Sequence, residues 1–284
     1  MASKKKPEQP RSKATLSRGK FKTIVWEYYR EHGRHDLPWR KNINPYRVLV
    51  SEIMLQQTQV SRGEIKYKEF LKKFPTFASL AKASNADVLA AWQGLGYNRR
   101  ALYLKRAAEV VMNEYKGKLP DDLALLMRLP GIGAYTAGAV CAFAFNKPVV
   151  FIDTNVRRVY IHHFFNDKEG VSDGELIPFI EATLDRERPR EWYSALMDYG
   201  SMLGLKEENA NKRSAHYAKQ SKFEGSLRQV RGKILKQIMD GKRQATRSNL
   251  AKALGETQER VDLALKGLER DGMVTVRNNI ICIA

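Results

Sequence analysis

The residues of this 284-residue chain with the plainest chemical capacity lie in Leu129-Pro130-Gly131-Ile132-Gly133-Ala134-Tyr135-Thr136-Ala137-Gly138-Ala139. Two glycines flanking one apolar residue let the backbone turn tightly and present its N–H groups. A helix expected to start at about Ala134 adds the positive end of its dipole. Together they form a cradle for a phosphate, which only small residues let approach, and Leu129, Gly131, Gly133 and Thr136 are its candidate contacts. A lone Gly-x-Gly is weak evidence, but between Leu-Pro and Tyr-Thr-Ala-Gly it is specific. Twenty residues past Gly133, the apolar run Val149-Val150-Phe151-Ile152 delivers Asp153 to the start of another helix, ahead of Thr154-Asn155-Val156-Arg157-Arg158. Taken alone, such an aspartate reads as an N-cap. This far behind a phosphate-binding turn it reads as a working carboxylate.

Charge says what carries the phosphate. Lysine and arginine number 50 against 31 acidic residues, a net charge of +19. Basic side chains displace counterions condensed on a nucleic-acid backbone, so a nucleic acid is the expected partner, with Arg157 among its contacts. A membrane surface is the competing anion. The longest near-continuous apolar run, Tyr135 to Phe145, falls short of the roughly 18 residues that span a bilayer, and no apolar segment follows the charged N-terminus. Two cysteines, Cys141 and Cys282, cannot build a disulfide framework or a four-thiolate cluster. The expectation from these counts is a reducing, cytoplasmic-type compartment.

Behind these residues stands a mostly helical pattern. The first 22 residues carry eight basic side chains against Glu8, and residues 1–20 are read as a basic arm, disordered when free. From Phe21 to about residue 222 the periodicity is helical, with Val48, Leu49, Ile53 and Val60 on one face. Breaks fall at Asn44-Pro45, Phe74-Pro75, Gly94-Leu95-Gly96 and Leu129-Pro130-Gly131. Residues 223–284 differ. Leu227–Met239, Ser248–Leu254 and Thr257–Arg270 read as helices, the second capped by Ser248. The apolar runs 273–276 and 280–283 flank Arg277-Asn278-Asn279 as a short hairpin. Three helices and a ribbon resemble a winged helix, whose third helix and Arg277 would face DNA. Docking of a protein is the alternative use.

The hairpin with an aspartate about a helix downstream resembles the helix-hairpin-helix glycosylases. Further segments narrow the likeness: Leu37-Pro38-Trp39-Arg40, Pro45-Tyr46, Ser51-Glu52-Ile53-Met54-Leu55-Gln56-Gln57-Thr58-Gln59-Val60 and Gly94-Leu95-Gly96-Tyr97. With these the region from Val25 to Gly200 looks like the MutY-type adenine DNA glycosylases. The resemblance implies an all-α, two-lobed body, here followed by a small winged-helix α+β domain. It implies base-excision repair of a mispaired adenine in duplex DNA, opposite guanine or 8-oxoguanine. Glu52 would be the general acid that protonates the adenine ring and later handles water. Val48 and Leu55 leave its helical face apolar, which should raise its pKa. Asp153 would stay ionised and stabilise the oxocarbenium-like sugar, with Asn155 orienting the groups. Tyr135 stands where bifunctional relatives carry a Schiff-base lysine. A phenol forms no imine, so the enzyme would be monofunctional. Gln57 and Tyr97 match residues that push into the base stack while the target is flipped.

Two features depart from that family. Relatives bind an iron–sulfur cluster through four cysteines after the segment matching Met197-Asp198-Tyr199-Gly200-Ser201-Met202, whereas Leu205 to Phe223 contains none. No cluster and no metal are expected. Arg213, His216, Tyr217 and Lys219 offer a basic surface in its place, and His162-His163 should face apart on a helix. The family's terminal domain for reading 8-oxoguanine has no room after Gly225. Glycosylases that release thymine or uracil paired with guanine share the hairpin, glutamate, tyrosine and aspartate. They remain an alternative, as do a non-catalytic DNA-binding protein and a strand-cleaving lyase.

Overall fold

Short polar side chains start most of the helices. Ser17, Asn44, Thr76, Ser84, Asp122, Asp153, Ser226, Thr246 and Thr257 each accept a backbone N–H from the first turn that follows. Such bonds satisfy donors that a helix start leaves without an internal acceptor. The computed structural model describes residues 16–219, 221–241 and 244–284. In chain order come α1 (Arg18–His32), α2 (Pro38–Lys41), α3 (Pro45–Leu55), α4 (Val60–Lys73), α5 (Phe77–Lys82), α6 (Asn85–Ala91), α7 (Arg99–Glu114), α8 (Leu123–Met127) and α9 (Ala134–Phe145). Then follow α10 (Thr154–Phe164), α11 (Asp173–Thr183), α12 (Pro189–Lys206), α13 (Leu227–Asp240), β1 (Gln244–Thr246), α14 (Arg247–Leu254), α15 (Gln258–Arg270), β2 (Val274–Arg277) and β3 (Ile280–Ile283).

The body is helical, as its periodicity requires, with three local differences. Helix α1 begins at Arg18, inside the stretch read as a basic arm; residues 1–15 lie outside the described residues. Thr246, not Ser248, caps α14. The terminal ribbon is three-stranded, in the order β1-β3-β2, with Ala245 opposite Ile281 and Thr275 opposite Cys282. At three residues β1 is too short for alternation to show. Asn278 and Asn279, at φ 48° and 64°, close the β2–β3 turn, the left-handed pair that a two-residue hairpin needs.

Packing divides the chain into two compact units. One joins the stretch up to Arg34 to Ile152–Ala218 and holds Asp153; the other joins His35–Phe151 to Lys219–Ala284 and holds Glu52. The sequence pattern suggests a boundary near residue 222, but chain composition does not report which long-range partners a segment finds.

In the Asp153 unit, Phe21, Tyr160 and Trp192 are fully buried against one another. Asp198, itself buried, accepts from the backbone N–H of Arg34 at 2.8 Å and from its Nε at 2.6 Å, tying α12 to the end of α1. The stretch after α12 is held by the backbone. Val171 N–H donates to the Arg213 carbonyl and Ala215 N–H to the Val171 carbonyl, both at 2.9 Å. Arg213 turns its guanidinium onto the carbonyls of Asn166 and Ile161 instead of offering it at the surface. His162 and His163 do not face apart: their rings meet at 4.7 Å, and His163 stacks on Tyr199. Burial lowers the pKa of both, that of His163 to about 4.

The Glu52 unit has one apolar core that runs from Leu49, Trp92 and Leu104 into Ile234, Leu265 and Ile281 of the terminal module. Polar clips lock the module onto the helices. Asp271, at the end of α15, lies between Arg99 at 3.1 Å and Arg231, and Asn85 Nδ2 donates to the Ala284 carbonyl at 2.9 Å. Burial pushes the Asp271 carboxyl up, but Arg231, Arg99 and Arg270 outweigh it and hold its pKa below 3.8. A depressed carboxylate stabilises the fold above its unfolded pKa, and that stabilisation fades as pH falls through the lower folded value. Asp271→Ala should therefore cost about 1–3 kcal/mol of unfolding free energy near neutral pH. In urea titrations the gap from wild type should close towards acid pH.

Candidate active site

Helix α3 is buried almost all round, from Tyr46 to Met54. Pro45 sets its first turn and Asn44 Oδ1 accepts the Tyr46 N–H at 2.9 Å. Glu52 lies within this apolar wall at 9% exposure. A carboxyl group there needs a partner, and Tyr135, in the first turn of α9, donates its hydroxyl to Glu52 Oε2 at 3.1 Å. The Tyr135 ring packs on Phe151 at 5.9 Å. Thus Glu52 and Tyr135, 83 positions apart, form one acid–phenol pair.

The turn before α9 has the form its sequence implies. Gly131 has φ +75°, and a Cβ there would stand 2.6 Å from the Cβ of Tyr103, so only glycine fits. Around Gly133 nothing lies within 4 Å of a would-be Cβ, leaving the backbone open to close approach. The first bond inside α9 runs from Ala137 N–H to the Gly133 carbonyl, so the helix start is oriented for an anion. Two residues read as phosphate contacts play other parts. Leu129 is 2% exposed and donates its N–H to the Leu126 carbonyl; it anchors the turn in the core. Thr136 is buried too, and its hydroxyl accepts from Gln56 Nε2 at 3.1 Å, bracing the end of α3.

Gln57 and Tyr97 both adopt left-handed backbone, at φ 53° and 46°, which costs non-glycine residues roughly 1–2 kcal/mol each. One side chain supports both, and sequence reasoning missed it. Arg100 Nη1 reaches the carbonyls of Ile53 (2.8 Å), Met54 (3.1 Å) and Gln56 (2.5 Å), while Nη2 reaches those of Leu95 (3.3 Å) and Gly96 (3.1 Å). The carbonyl just before each strained residue is thereby held by a single guanidinium. Burial lowers the pKa of Arg100 to about 10, which leaves it charged near neutral pH, and its cation lies over the rings of Trp92 and Tyr97. No local motif marks an arginine whose acceptors stand more than 40 positions back.

In the Asp153 unit the carboxylate that the sequence marks as a candidate also caps α10. Asp153 Oδ1 accepts the Val156 N–H at 2.6 Å and Oδ2 accepts from Asn155 Nδ2 at 3.2 Å. Asn155 is held in turn by Arg158 Nη1, which donates to its Oδ1 at 3.0 Å and to the Gly200 carbonyl at 2.6 Å. Gly200 permits this contact: a Cβ there would stand 2.6 Å from the Asn155 carbonyl oxygen. The adjacent Arg157, read from sequence as a DNA contact, instead forms a two-pronged pair with Asp173, both bonds 2.7 Å. A phosphate would have to break that pair. Arg158, one position on and about 100° round the helix, belongs to the site.

Burial raises the Asp153 pKa from its ordinary 3.8, against the amides of Val156 and Asn155, the Asn155 side chain and the charge of Arg157. The charged form of Asp153 is therefore costly here. Arg277 is exposed on the wing. The outward positions of α15 mix Glu259 and Glu269 with Lys266 and an exposed Leu263; they do not form a basic face. Among the described residues no helix is long and apolar enough to cross a membrane.

A raised carboxyl stabilises the fold below its unfolded pKa, and that contribution is lost as pH rises through the folded value. Asp153→Asn keeps a good cap and removes the charge of this half-buried side chain, while giving up the weaker bond from Asn155 Nδ2. It should raise the melting temperature near neutral pH, with the gain shrinking towards acid pH, where wild-type Asp153 is itself protonated.

The HhH-GPD model, described as a superfamily of base excision DNA repair proteins, matches residues 50–175. The adenine DNA glycosylase of Mycolicibacterium smegmatis is 36% identical over 261 residues, covering 86% of this chain and 89% of that one. That of Mycobacterium tuberculosis is 37% identical over 273 residues, covering 89% and 88%. The solved structure of a thermostable thymine-DNA glycosylase superposes with a TM-score of 0.59 at 27% identity, over 69% of this chain and 91% of that chain. With the hairpin, the buried glutamate and the capping aspartate in place, the chain belongs to the adenine DNA glycosylase family of the HhH-GPD superfamily of base excision DNA repair proteins.

Proposed function

We propose that this protein is a monofunctional DNA N-glycosylase that hydrolyses the bond between deoxyribose and a mispaired adenine, opposite guanine or 8-oxoguanine. The observation that carries the reading is Glu52, buried on α3 with the Tyr135 hydroxyl on its carboxyl group, in a chain similar to adenine DNA glycosylases along most of its length.

In this reading Glu52 gives a proton to an adenine ring nitrogen, and the C1′–N bond breaks with its electron pair passing to the base. Ionised Asp153 offsets the positive charge that develops on the sugar, a contribution of about a hundredfold or more in rate. Asn155 and Arg158 orient it. Water then adds to C1′ and returns a proton to Glu52, leaving free adenine and an abasic sugar. Gln57 and Tyr97 enter the stack as the base flips, at a cost of roughly a few kcal/mol that is least at a mispair. The Gly131–Gly133 turn takes a phosphate, and Arg277 adds a backbone contact from the wing. Tyr135 has no amine with which to attack the sugar, so strand cleavage falls to another enzyme. We further propose that the enzyme works as a monomer on nucleoid DNA. Its two cysteines cannot supply a four-thiolate cluster, and the backbone pairing at Val171 serves the stretch where relatives hold one. A second reading, release of thymine opposite guanine, is favoured by the likeness to the thymine-DNA glycosylase structure.

Single-turnover release from duplexes with A opposite G, A opposite 8-oxoguanine, T opposite G and U opposite G separates these readings. Free adenine from the first two, lost in Glu52→Gln and Asp153→Asn, is the expected result. Thymine or uracil release would install the second reading. Borohydride should trap no covalent protein–DNA adduct; a trapped adduct would overturn the role given to Tyr135.

A further inference from the structure

The terminal module reaches the residue that the preceding reading places in the base stack. Tyr97 is 41% exposed, and Arg228 of α13 donates Nη1 to its hydroxyl at 2.6 Å. The Arg228 guanidinium also lies 5.7 Å from the centre of the Tyr97 ring, as does that of Arg100. Arg228 is held from behind, its Nη2 donating to the Ser221 carbonyl at 2.7 Å. It stands in the first turn of α13, whose N-cap is Ser226. A cation there opposes the helix dipole, so its own helix gives no reason for it. Tyr97 does.

We infer that Arg228 is a positioning residue for Tyr97, and that the terminal module serves base recognition by fixing this tyrosine at the mispair. The inference rests on the stack-entering role of Tyr97. It makes the module a second support for a side chain whose backbone Arg100 already holds, and it assigns recognition to α13 rather than to the mixed-charge face of α15. Because the bond ends on the phenolic oxygen, Tyr97→Phe cuts the link and keeps the ring.

The test uses the full-length protein and four variants: Arg228→Ala, Arg228→Lys, Tyr97→Phe and the double variant Arg228→Ala/Tyr97→Phe. Two readouts are taken on a duplex with one mispair: base release, and fluorescence of 2-aminopurine at the target position, which reports unstacking with or without bond cleavage. Arg228→Ala and Tyr97→Phe should each lower the flipping amplitude and the release rate about tenfold. The double variant should be no worse than either, and the salt dependence of binding should stay unchanged. Arg228→Lys should restore part of the loss. If Arg228 instead binds a phosphate directly, its loss will add to that of Tyr97→Phe and lower the salt slope by about one, which overturns the inference. Equal flipping in all variants overturns it as well. Wild-type protein that flips the base but releases no adenine would count against the proposed substrate alone.

Discussion

The end of α3 and the turn after Trp92 both depend on one half-buried cation. Arg100 closes the end of α3, where carbonyl groups lack acceptors within the helix, and the same guanidinium holds the turn after Trp92. Each of these segments ends in a residue forced into left-handed backbone. Removing the cation would take a donor from five carbonyls, of which Gln56 keeps the Thr58 hydroxyl and Gly96 the Trp92 indole, and would weaken the support of two strained conformations. Charged hydrogen bonds of this kind outweigh the strain, since each contributes about 1.5–3 kcal/mol against roughly 1–2 for each left-handed residue. Strain kept where function needs it, and held by surrounding structure, is characteristic of working sites.

Glu52 and Asp153 are held by different means. Glu52 sits in an apolar wall and accepts the Tyr135 hydroxyl. Asp153 is wrapped in donors: the Val156 amide, the Asn155 side chain and, through Asn155, Arg158. Burial still raises its pKa, so the charged form is costly to the fold. The terminal module attaches by similar means, with Asp271 clamped between arginines from two helices.

Much of this was legible in the sequence wherever function rides on local spacing. The Gly131–Gly133 turn, the aspartate twenty residues later and the apolar setting of Glu52 all lie within a few turns of chain, and helical periodicity gave the body. What escaped depends on distance or direction. Arg100 meets acceptors 44 to 47 positions back, which no window of sequence displays. Arg157 and Arg158 look alike in sequence, yet one faces Asp173 and the other the site. Leu129 and Thr136 stand in a binding motif, but their side chains point into the core. Strand β1 is too short to leave a pattern.

The account turns on whether one guanidinium holds both strained turns, and amide hydrogen exchange on Arg100→Lys tests that most directly. A lysine keeps the charge but cannot span both sets of carbonyls. The account predicts that residues 54–58 and 95–98 lose protection together, while the turn at 129–133 keeps its own. Loss of protection in one segment alone, or in neither, would contradict it.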